Sequence, residues 1–128
     1  MAESVGTEMT PERLAEFGEA WNQRDVELVM SYMAEECAYY ASFGSSPEGA
    51  SYVGREAVRE GVGKFFEAYP DGRFEDASVF VAENRGVAEW TFVATRPDGR
   101  VMKTRGCDLL EFEGDKVKTK DAFRKQLA

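Results

Sequence analysis

The spacing of apolar residues changes once along this chain, near residue 70, and that change limits the possible folds more than any other feature. Before it, apolar residues recur every three or four positions, which is typical of amphipathic helices. From Phe74 onward they alternate with polar residues, as in strands whose two faces have different surroundings. Helices followed by a run of strands indicate an α+β domain.

Two helices are predicted near the start of the chain. Thr10 precedes a proline and an acid, so it reads as an N-cap, and the apolar spacing extends this helix to about Asn22. Asp25 can cap a second helix, which we expect to end near Glu36. A short strand is predicted next, over residues 37–43.

A third helix is predicted after a loop rich in Gly, Ser and Pro at residues 44–54. Its apolar stripe ends at Tyr69, where Pro-Asp-Gly stops it. Gly61 and Gly63 lie inside the helix, and each weakens it by about 1 kcal/mol relative to alanine. Packing must therefore supply part of the stability of this helix.

Four strands are predicted in the second half of the chain. Short turns that contain Asn-Arg-Gly, Pro-Asp-Gly and Glu-Gly-Asp separate them. Turns of this length join antiparallel neighbours, so the strands should form a meander. The predicted strands cover residues 74–82, 87–96, 100–112 and 116–124.

The length and composition favour one domain, which we place at residues 10–128 after a flexible tail at 1–9. A chain of 128 residues with 43% apolar residues can bury one core of its own. A net charge of -8 opposes nucleic-acid binding, because phosphate backbones are held mainly by Lys and Arg. No apolar run approaches the roughly 20 residues of a membrane helix, and we expect a cytoplasmic protein.

The chain has no histidine, and this limits the chemistry that it can perform. Ser-His-Asp and Cys-His catalysis and histidine-bound metals are excluded, which leaves carboxylates, Tyr, Lys and Cys for proton transfer. Cys37 and Cys107 match no zinc motif and should be free thiols. We expect neither a metal nor a nucleotide cofactor.

Three segments together resemble the nuclear transport factor 2-like superfamily: WNQRDVELVMSYMAEECAYY, GREAVREGVGKFFEAYPD and GCDLLEFEGDKVKTKDAF. The resemblance covers nearly the whole chain and implies a cone, in which a curved antiparallel sheet wraps three helices around an internal pocket. The superfamily includes isomerases, dehydratases, epoxide hydrolases, SnoaL-like polyketide cyclases and modules without catalysis. The fold therefore leaves open whether the chain is an enzyme.

Asp108 is the strongest candidate for a functional residue, because it lies on the apolar face of its predicted strand. A buried carboxylate must find a partner or take up a proton. The position matches the neutral aspartic acid of ketosteroid isomerase, but that enzyme's base and its tyrosine fall on Ala41 and Phe17. The residues of limonene epoxide hydrolase fall on Glu89, Thr91 and Ala122, so this chemistry is also absent.

The remaining candidates predict a polar floor in an apolar cup, which suits a small apolar ligand with one or two oxygens. Aromatic walls are expected from Phe17, Trp21 and Tyr39. The polar binding residues expected on the same inner face are Glu89, Thr91 and Thr104.

The residue opposite Asp108 depends on the loop of the last hairpin. A two-residue loop pairs it with Asp121, and a three-residue loop pairs it with Lys120. Two facing carboxylates would share a proton as an acid/base pair, whereas Lys120 would form a buried ion pair. The family's hairpins favour Lys120, so we expect Asp108 and Lys120 as the catalytic pair. A structural ion pair that closes the sheet explains the same pattern.

Two functions are compatible with these patterns. The first is a SnoaL-like pocket that binds a small apolar oxygenated compound or transfers a proton on it. The second is a non-catalytic module that forms a homodimer through an exposed face carrying Trp90 and Phe92. Pocket volume separates them, because less than about 300 Å³ leaves no room for a drug-sized ligand.

Overall fold

The computed structural model describes residues 8–127. Three helices, α1 (Pro11–Asn22), α2 (Val26–Ser31) and α3 (Arg55–Ala68), precede most of the sheet. The prediction of an α+β fold is confirmed, and the four C-terminal strands lie within two residues of their predicted bounds. The strands are β1 (Met33–Tyr40), β2 (Ser51–Val53), β3 (Arg73–Ala82), β4 (Arg85–Thr95), β5 (Val101–Glu113) and β6 (Lys116–Arg124).

The six strands form one curved, open sheet in the order β2-β1-β6-β5-β4-β3. The last four strands are antiparallel neighbours, as the short turns predict. β1, however, pairs with β6 in parallel, so the sheet is mixed and not purely antiparallel. This pairing brings the beginning and the end of the chain together and places Tyr39 beside Lys120.

The second helix is shorter than predicted, and β1 begins earlier. The guanidinium of Arg55 donates to the backbone carbonyls of Met30, Met33 and Ala34, where α2 ends and β1 begins. Met33 pairs with Val117 of β6. Long-range contacts therefore determine this boundary, and local helix propensity does not. The loop also differs, because its last residues form β2 against β1.

α1 fixes one side of the interior. The Thr10 side chain accepts a hydrogen bond from the Arg13 N–H, as expected of an N-cap. At the other end, the Asn22 side chain accepts from the Phe74 N–H and donates to the Phe74 carbonyl, which joins the helix to β3. Met9, placed in the tail by the sequence prediction, is buried, and its N–H donates to the Gly114 carbonyl. The domain therefore includes Met9, while residues 1–7 lie outside the described chain.

The core lies between the helices and the concave face of the sheet. The core residues that belong to helices lie on the apolar stripes predicted from the sequence. Val58 and Val62 of α3 are fully buried, and Leu14 of α1 is 2% exposed. No helix within residues 8–127 has the length and apolar character needed to cross a membrane. The side chains of α1 and of the concave face also enclose the cavity described below.

The two glycines inside α3 should respond oppositely to alanine. A Cβ at Gly63 meets nothing within 4 Å, so Gly63→Ala should raise the free energy of unfolding by up to about 1 kcal/mol. A Cβ at Gly61 would lie 2.6 Å from the Tyr52 ring, which stacks on Tyr39. Gly61→Ala should therefore lower that free energy. Urea denaturation of both variants measures the difference, and equal shifts would contradict the packing explanation.

Candidate functional site

A cavity of about 210 Å³ lies between α1 and the concave face of the sheet. Leu14, Phe17 and Trp21 of α1 form one wall, and Phe74 and Val79 of β3 form another. The floor comes from the strands beyond β3: Ala88, Trp90, Asp108, Leu110 and Lys120. The walls are apolar and the floor is charged, but Glu89, Thr91 and Thr104 of the predicted floor are not part of it. The volume is below the roughly 300 Å³ that a drug-sized ligand requires, which counts against the binding function in the form predicted from the sequence.

A buried ion pair lies at the floor of the cavity. The Lys120 Nζ is 2.9 Å from the Asp108 Oδ1, and the two residues are 4% and 6% exposed. Trp90 donates its indole N–H to the other carboxylate oxygen, Oδ2, at 3.0 Å. Both oxygens of Asp108 therefore have a donor, and the charge of the carboxylate is balanced inside the fold.

Aromatic rings surround the Lys120 ammonium on its other sides. Its Nζ lies 4.4 Å from the centre of the Trp21 ring and 5.4 Å from that of Tyr39. A cation over the face of an aromatic ring is attracted by the ring's quadrupole, more strongly where water is excluded. Phe17 and Trp21 line the cavity. Tyr39, also expected as a wall, lines a separate crevice of about 30 Å³ and faces Lys120 from β1.

A β-bulge places Lys120 on the same face as Asp108. The loop between β5 and β6 has two residues, with Glu113 paired to Lys116. An unbroken ladder would then turn Asp121 toward Asp108, but the register shifts by one residue at Lys118. Beyond the bulge, Asp108 pairs with Ala122, so both of the predicted pairings are wrong.

Lys120 reaches Asp108 diagonally, because its own partner in the ladder is Leu110. Diagonal neighbours on one face of a sheet are about 7–8 Å apart at Cα, which a lysine side chain can span. The ion pair expected from the sequence is therefore present, although it forms by a different register. The role of Asp108 and Lys120 in catalysis stays a prediction.

The structure corrects the placement of Glu89 and Thr91. β4 pairs with β5 so that Ala88 faces Asp108, which puts the even-numbered residues of both strands on the inner face. Glu89 is exposed on the outer face, and Thr91 is buried there beneath Arg105, which donates to its hydroxyl. Neither residue can line the cavity. Thr104 is on the inner face but lines a separate groove.

The predicted dimer face is wrong for the same reason. Trp90 is 5% exposed and Phe92 is completely buried, since both point into the domain. Phe92 packs against Phe65, Tyr69 and Phe74. The sequence prediction did not include Trp90 in the site, but the turn after β4 carries the signal. Its three residues pair Arg96 with Arg100, so residue 88 pairs with residue 108 and Trp90 shares the face of Asp108.

Two groups beside the site have shifted acid strengths. Burial, and then the neighbouring Asp108 carboxylate, raise the pKa of the Tyr39 phenol, so its hydroxyl stays protonated at neutral pH. Burial and the same carboxylate also raise the pKa of the Cys107 thiol, which lies on the outer face. Cys37 and Cys107 are free, and a raised pKa lowers the thiolate fraction of each.

The cavity offers hydrogen-bond donors that the protein itself leaves unused. An ammonium carries three N–H donors, and Lys120 gives one of them to Asp108. Trp21 Nε1, on a residue of the cavity wall, is buried without a partner among the described residues. Within residues 8–127, no cluster of Cys, Asp and Glu is suited to a metal ion.

Comparison with known proteins identifies the family. Residues 14–119 match the model of the SnoaL-like domain. The chain belongs to the SnoaL-like domain family. The matched segment includes most of α1 and ends in β6, one residue before Lys120. A comparison of this chain with curated proteins found no match.

Solved structures of low sequence identity share the fold. TerC, co-crystallized with polyporic acid, is 15% identical, with a TM-score of 0.76 over 91% of this chain and 92% of its own. Bal32a, from a soil-derived mobile gene cassette, is 18% identical, with a TM-score of 0.76 over 90% and 88%. An NTF2-like protein of unknown function from Burkholderia pseudomallei K96243 is 20% identical, with a TM-score of 0.76 over 89% and 88%.

The ion pair can be tested by a double-mutant cycle. Asp108→Leu or Lys120→Met alone leaves one buried charge without its partner, so each should lower the free energy of unfolding by about 3–5 kcal/mol. The double variant replaces both charges with apolar groups and should be more stable than either single variant. Urea denaturation of all four proteins measures the coupling. Additive losses would mean that the two side chains do not stabilise each other.

Proposed function

We propose that this SnoaL-like domain binds a small, mostly apolar organic compound and holds an oxygen of that compound against the Lys120 ammonium. The observation that carries the proposal is the mostly apolar cavity with the ion pair of Asp108 and Lys120 on its floor. Apolar walls supply affinity, and a few placed polar groups fix the orientation of the ligand.

The volume of the cavity limits the ligand to about one ring. A cavity of about 150 Å³ holds a benzene molecule, and this cavity measures about 210 Å³. Drug-sized ligands therefore do not fit unless the walls move. TerC, which shares this fold, was co-crystallized with polyporic acid, an organic compound larger than one ring.

Proton transfer next to a carbonyl group would use this ion pair in an arrangement different from that of ketosteroid isomerase, because the positions of that enzyme's base and tyrosine hold Ala41 and Phe17. If the carbonyl oxygen lies against Lys120, the ammonium stabilises the negative charge that develops there. Asp108 then accepts the proton from the neighbouring carbon, and the C–H electron pair forms the C=C bond of an enolate. Where a C=C bond adjoins the carbon that loses the proton, the product is a dienolate, and return of the proton to its far carbon completes an isomerisation without any further reactant.

A pair of cyclic ketones tests binding and chemistry separately. We expect cyclohexanone and 2-cyclohexenone to bind, as measured by saturation-transfer NMR. Wild-type protein in D₂O should speed the loss of the α-proton signals, and Asp108→Asn should abolish that acceleration. Binding without exchange would reject the proton-transfer step, and the absence of binding would overturn the proposal.

Gly18→Leu is the matched control for the site of binding. Gly18 lines the cavity on α1, and a Cβ there meets nothing within 4 Å. A leucine side chain should enter the cavity while it improves the helix, so the fold is kept. We expect ketone binding to fall at least about tenfold, and unchanged binding would place the ligand elsewhere.

We also infer that the domain forms a homodimer through the outer face of its sheet. Adjacent strands place Phe80, Val87, Leu109, Asp121 and Tyr40 in one row across that face. Phe80 is 59% exposed and Phe123, next to the row, is 49% exposed. Apolar side chains that are contiguous and exposed mark interaction sites.

Charge along β5 favours a second copy of this chain as the partner. The outer residues of β5 run from Lys103 and Arg105 through Cys107 and Leu109 to Glu111, so the strand is basic at one end and acidic at the other. A twofold axis near Cys107 would set Lys103 of one copy against Glu111 of the other. Such a self-complementary patch is what a symmetric dimer requires.

Sedimentation equilibrium and crosslinking test the dimer. We expect a dimeric mass, and a covalent dimer with a short bismaleimide that is absent in Cys107→Ser. Leu109→Glu should convert the protein to monomer, because it adds a charge to the row. Val101→Glu is the control, since Val101 is also exposed on β5 but lies outside the row. A monomeric wild type at about 100 µM would contradict the inference.

A further inference from the structure

A groove of about 1190 Å³ lies apart from the cavity beneath α1. It runs between the loop that follows β1, including residues 41–44, and the C-terminal residues 124–127. Thr104, Arg124 and Tyr69 line it on the concave side of the sheet. The groove does not include Asp108 or Lys120, so its chemistry is separate from that of the cavity.

Arg124 is held in place without a carboxylate partner. Its Nη2 donates to the Tyr69 hydroxyl at 2.9 Å, and its guanidinium carbon lies 4.9 Å from the centre of the Phe92 ring and 5.2 Å from that of Tyr69. Among residues 8–127, no carboxylate lies within 4.0 Å of this guanidinium. Side-chain stacking therefore orients a charge that nothing in the described chain neutralises.

Thr104 places a second unused donor at the same location. The residue is 5% exposed, and its hydroxyl is buried without a partner in the described residues. In the ladder Thr104 faces Phe92, and the Arg124 guanidinium lies over the ring of the same Phe92. A buried hydroxyl without a hydrogen bond is unfavourable, so Thr104, which lines the groove, should gain when its side chain turns toward a ligand acceptor there.

The acidic residues that also line the groove do not face Arg124. Glu89 and Asp121 pair with Cys107 and Leu109, which puts them on the outer face of the sheet. Arg124 pairs with Gly106 on the inner face. Glu48, the third acid of the lining, belongs to the exposed loop. The inner side of the groove is therefore locally cationic, although the chain carries a charge of -8.

We propose that the groove binds the carboxylate group of an organic anion through Arg124, with Thr104 and Tyr69 as further donors. The guanidinium has N–H groups left after its bond to Tyr69, and its planar fork matches the two oxygens of a carboxylate. The Tyr69 hydroxyl accepts from Arg124, so its own proton is free to donate. The aromatic rings of Tyr69 and Phe92 add an apolar surface for the rest of the ligand.

Benzoate and its neutral analogue benzamide are suitable probes. We expect benzoate to shift the side-chain NMR signal of Arg124 and to bind with a Kd on the order of millimolar, while benzamide binds at least about tenfold more weakly. Arg124→Gln should weaken benzoate binding at least about tenfold. Equal binding of the two probes, or no benzoate binding at tens of millimolar, would overturn the proposal.

Thr104→Val separates a binding role from a structural one. Valine has nearly the same shape and removes a hydroxyl that has no partner, so the free energy of unfolding should stay equal or rise. Benzoate binding should nevertheless weaken several-fold, because one donor is lost. Loss of stability without loss of binding would contradict the assignment of Thr104.

Two controls locate the binding. Arg96→Gln removes an exposed arginine at the rim of the groove and should leave the affinity for benzoate within about twofold. Gly18→Leu blocks the cavity and should also leave it unchanged. A loss of benzoate binding in Arg96→Gln would mean that attraction to surface charge explains the affinity, and a loss in Gly18→Leu would assign benzoate to the cavity.

Discussion

A lysine ammonium with almost no contact to water lies at the centre of this fold, and the residues around it compensate for the water that it has lost. Transfer of an ammonium or a carboxylate into a protein interior costs several kcal/mol even after relaxation. Asp108 balances the charge of Lys120 at 2.9 Å, and Trp90 donates to the second oxygen of that carboxylate. Removing any one of these groups leaves another without its partner.

Such a pair is a poor source of stability, because a well-packed apolar pair of the same volume performs as well or better. The ligand contact proposed for Lys120 would give this pair a role beyond folding. The surroundings agree with that role, since Trp21 and Tyr39 turn ring faces toward the ammonium. A ligand oxygen beside Lys120 would accept a hydrogen bond from the ammonium, whose N–H groups the aromatic rings satisfy only in part.

The sequence predicts the positions of the helices and strands better than it predicts the register in which the strands pair. Turn residues and alternation locate the strands after residue 73, and the apolar face of β5 identifies Asp108 from pattern alone. The length of the turn after β4 also determines which face of the sheet holds Trp90, so the sequence contains the signal that Trp90 points inward. The bulge at Lys118 is different, because nothing in the local sequence separates a bulged from a regular strand there.

The parallel pairing of β1 with β6 is beyond local sequence analysis for another reason. It joins residues about 80 positions apart, and neither strand carries a signal of its partner. This pairing sets Tyr39 against Lys120, so one aromatic contact of the ion pair depends on a long-range contact. The predictions for Glu89 and Thr91 are wrong because register decides their face, whereas Phe17 and Trp21, whose positions follow from the spacing of α1, line the cavity.

The interior is divided in two by side chains and not by backbone. The cavity beneath α1 and a crevice of about 30 Å³ behind it share three lining residues, Phe74, Trp90 and Lys120. Arg124 lines both that crevice and the open groove. A rotamer change at Trp90 would break its bond to Asp108 before it could join the two spaces. The hydrogen bond from Trp90 to Asp108 therefore helps to keep the cavity and the crevice apart.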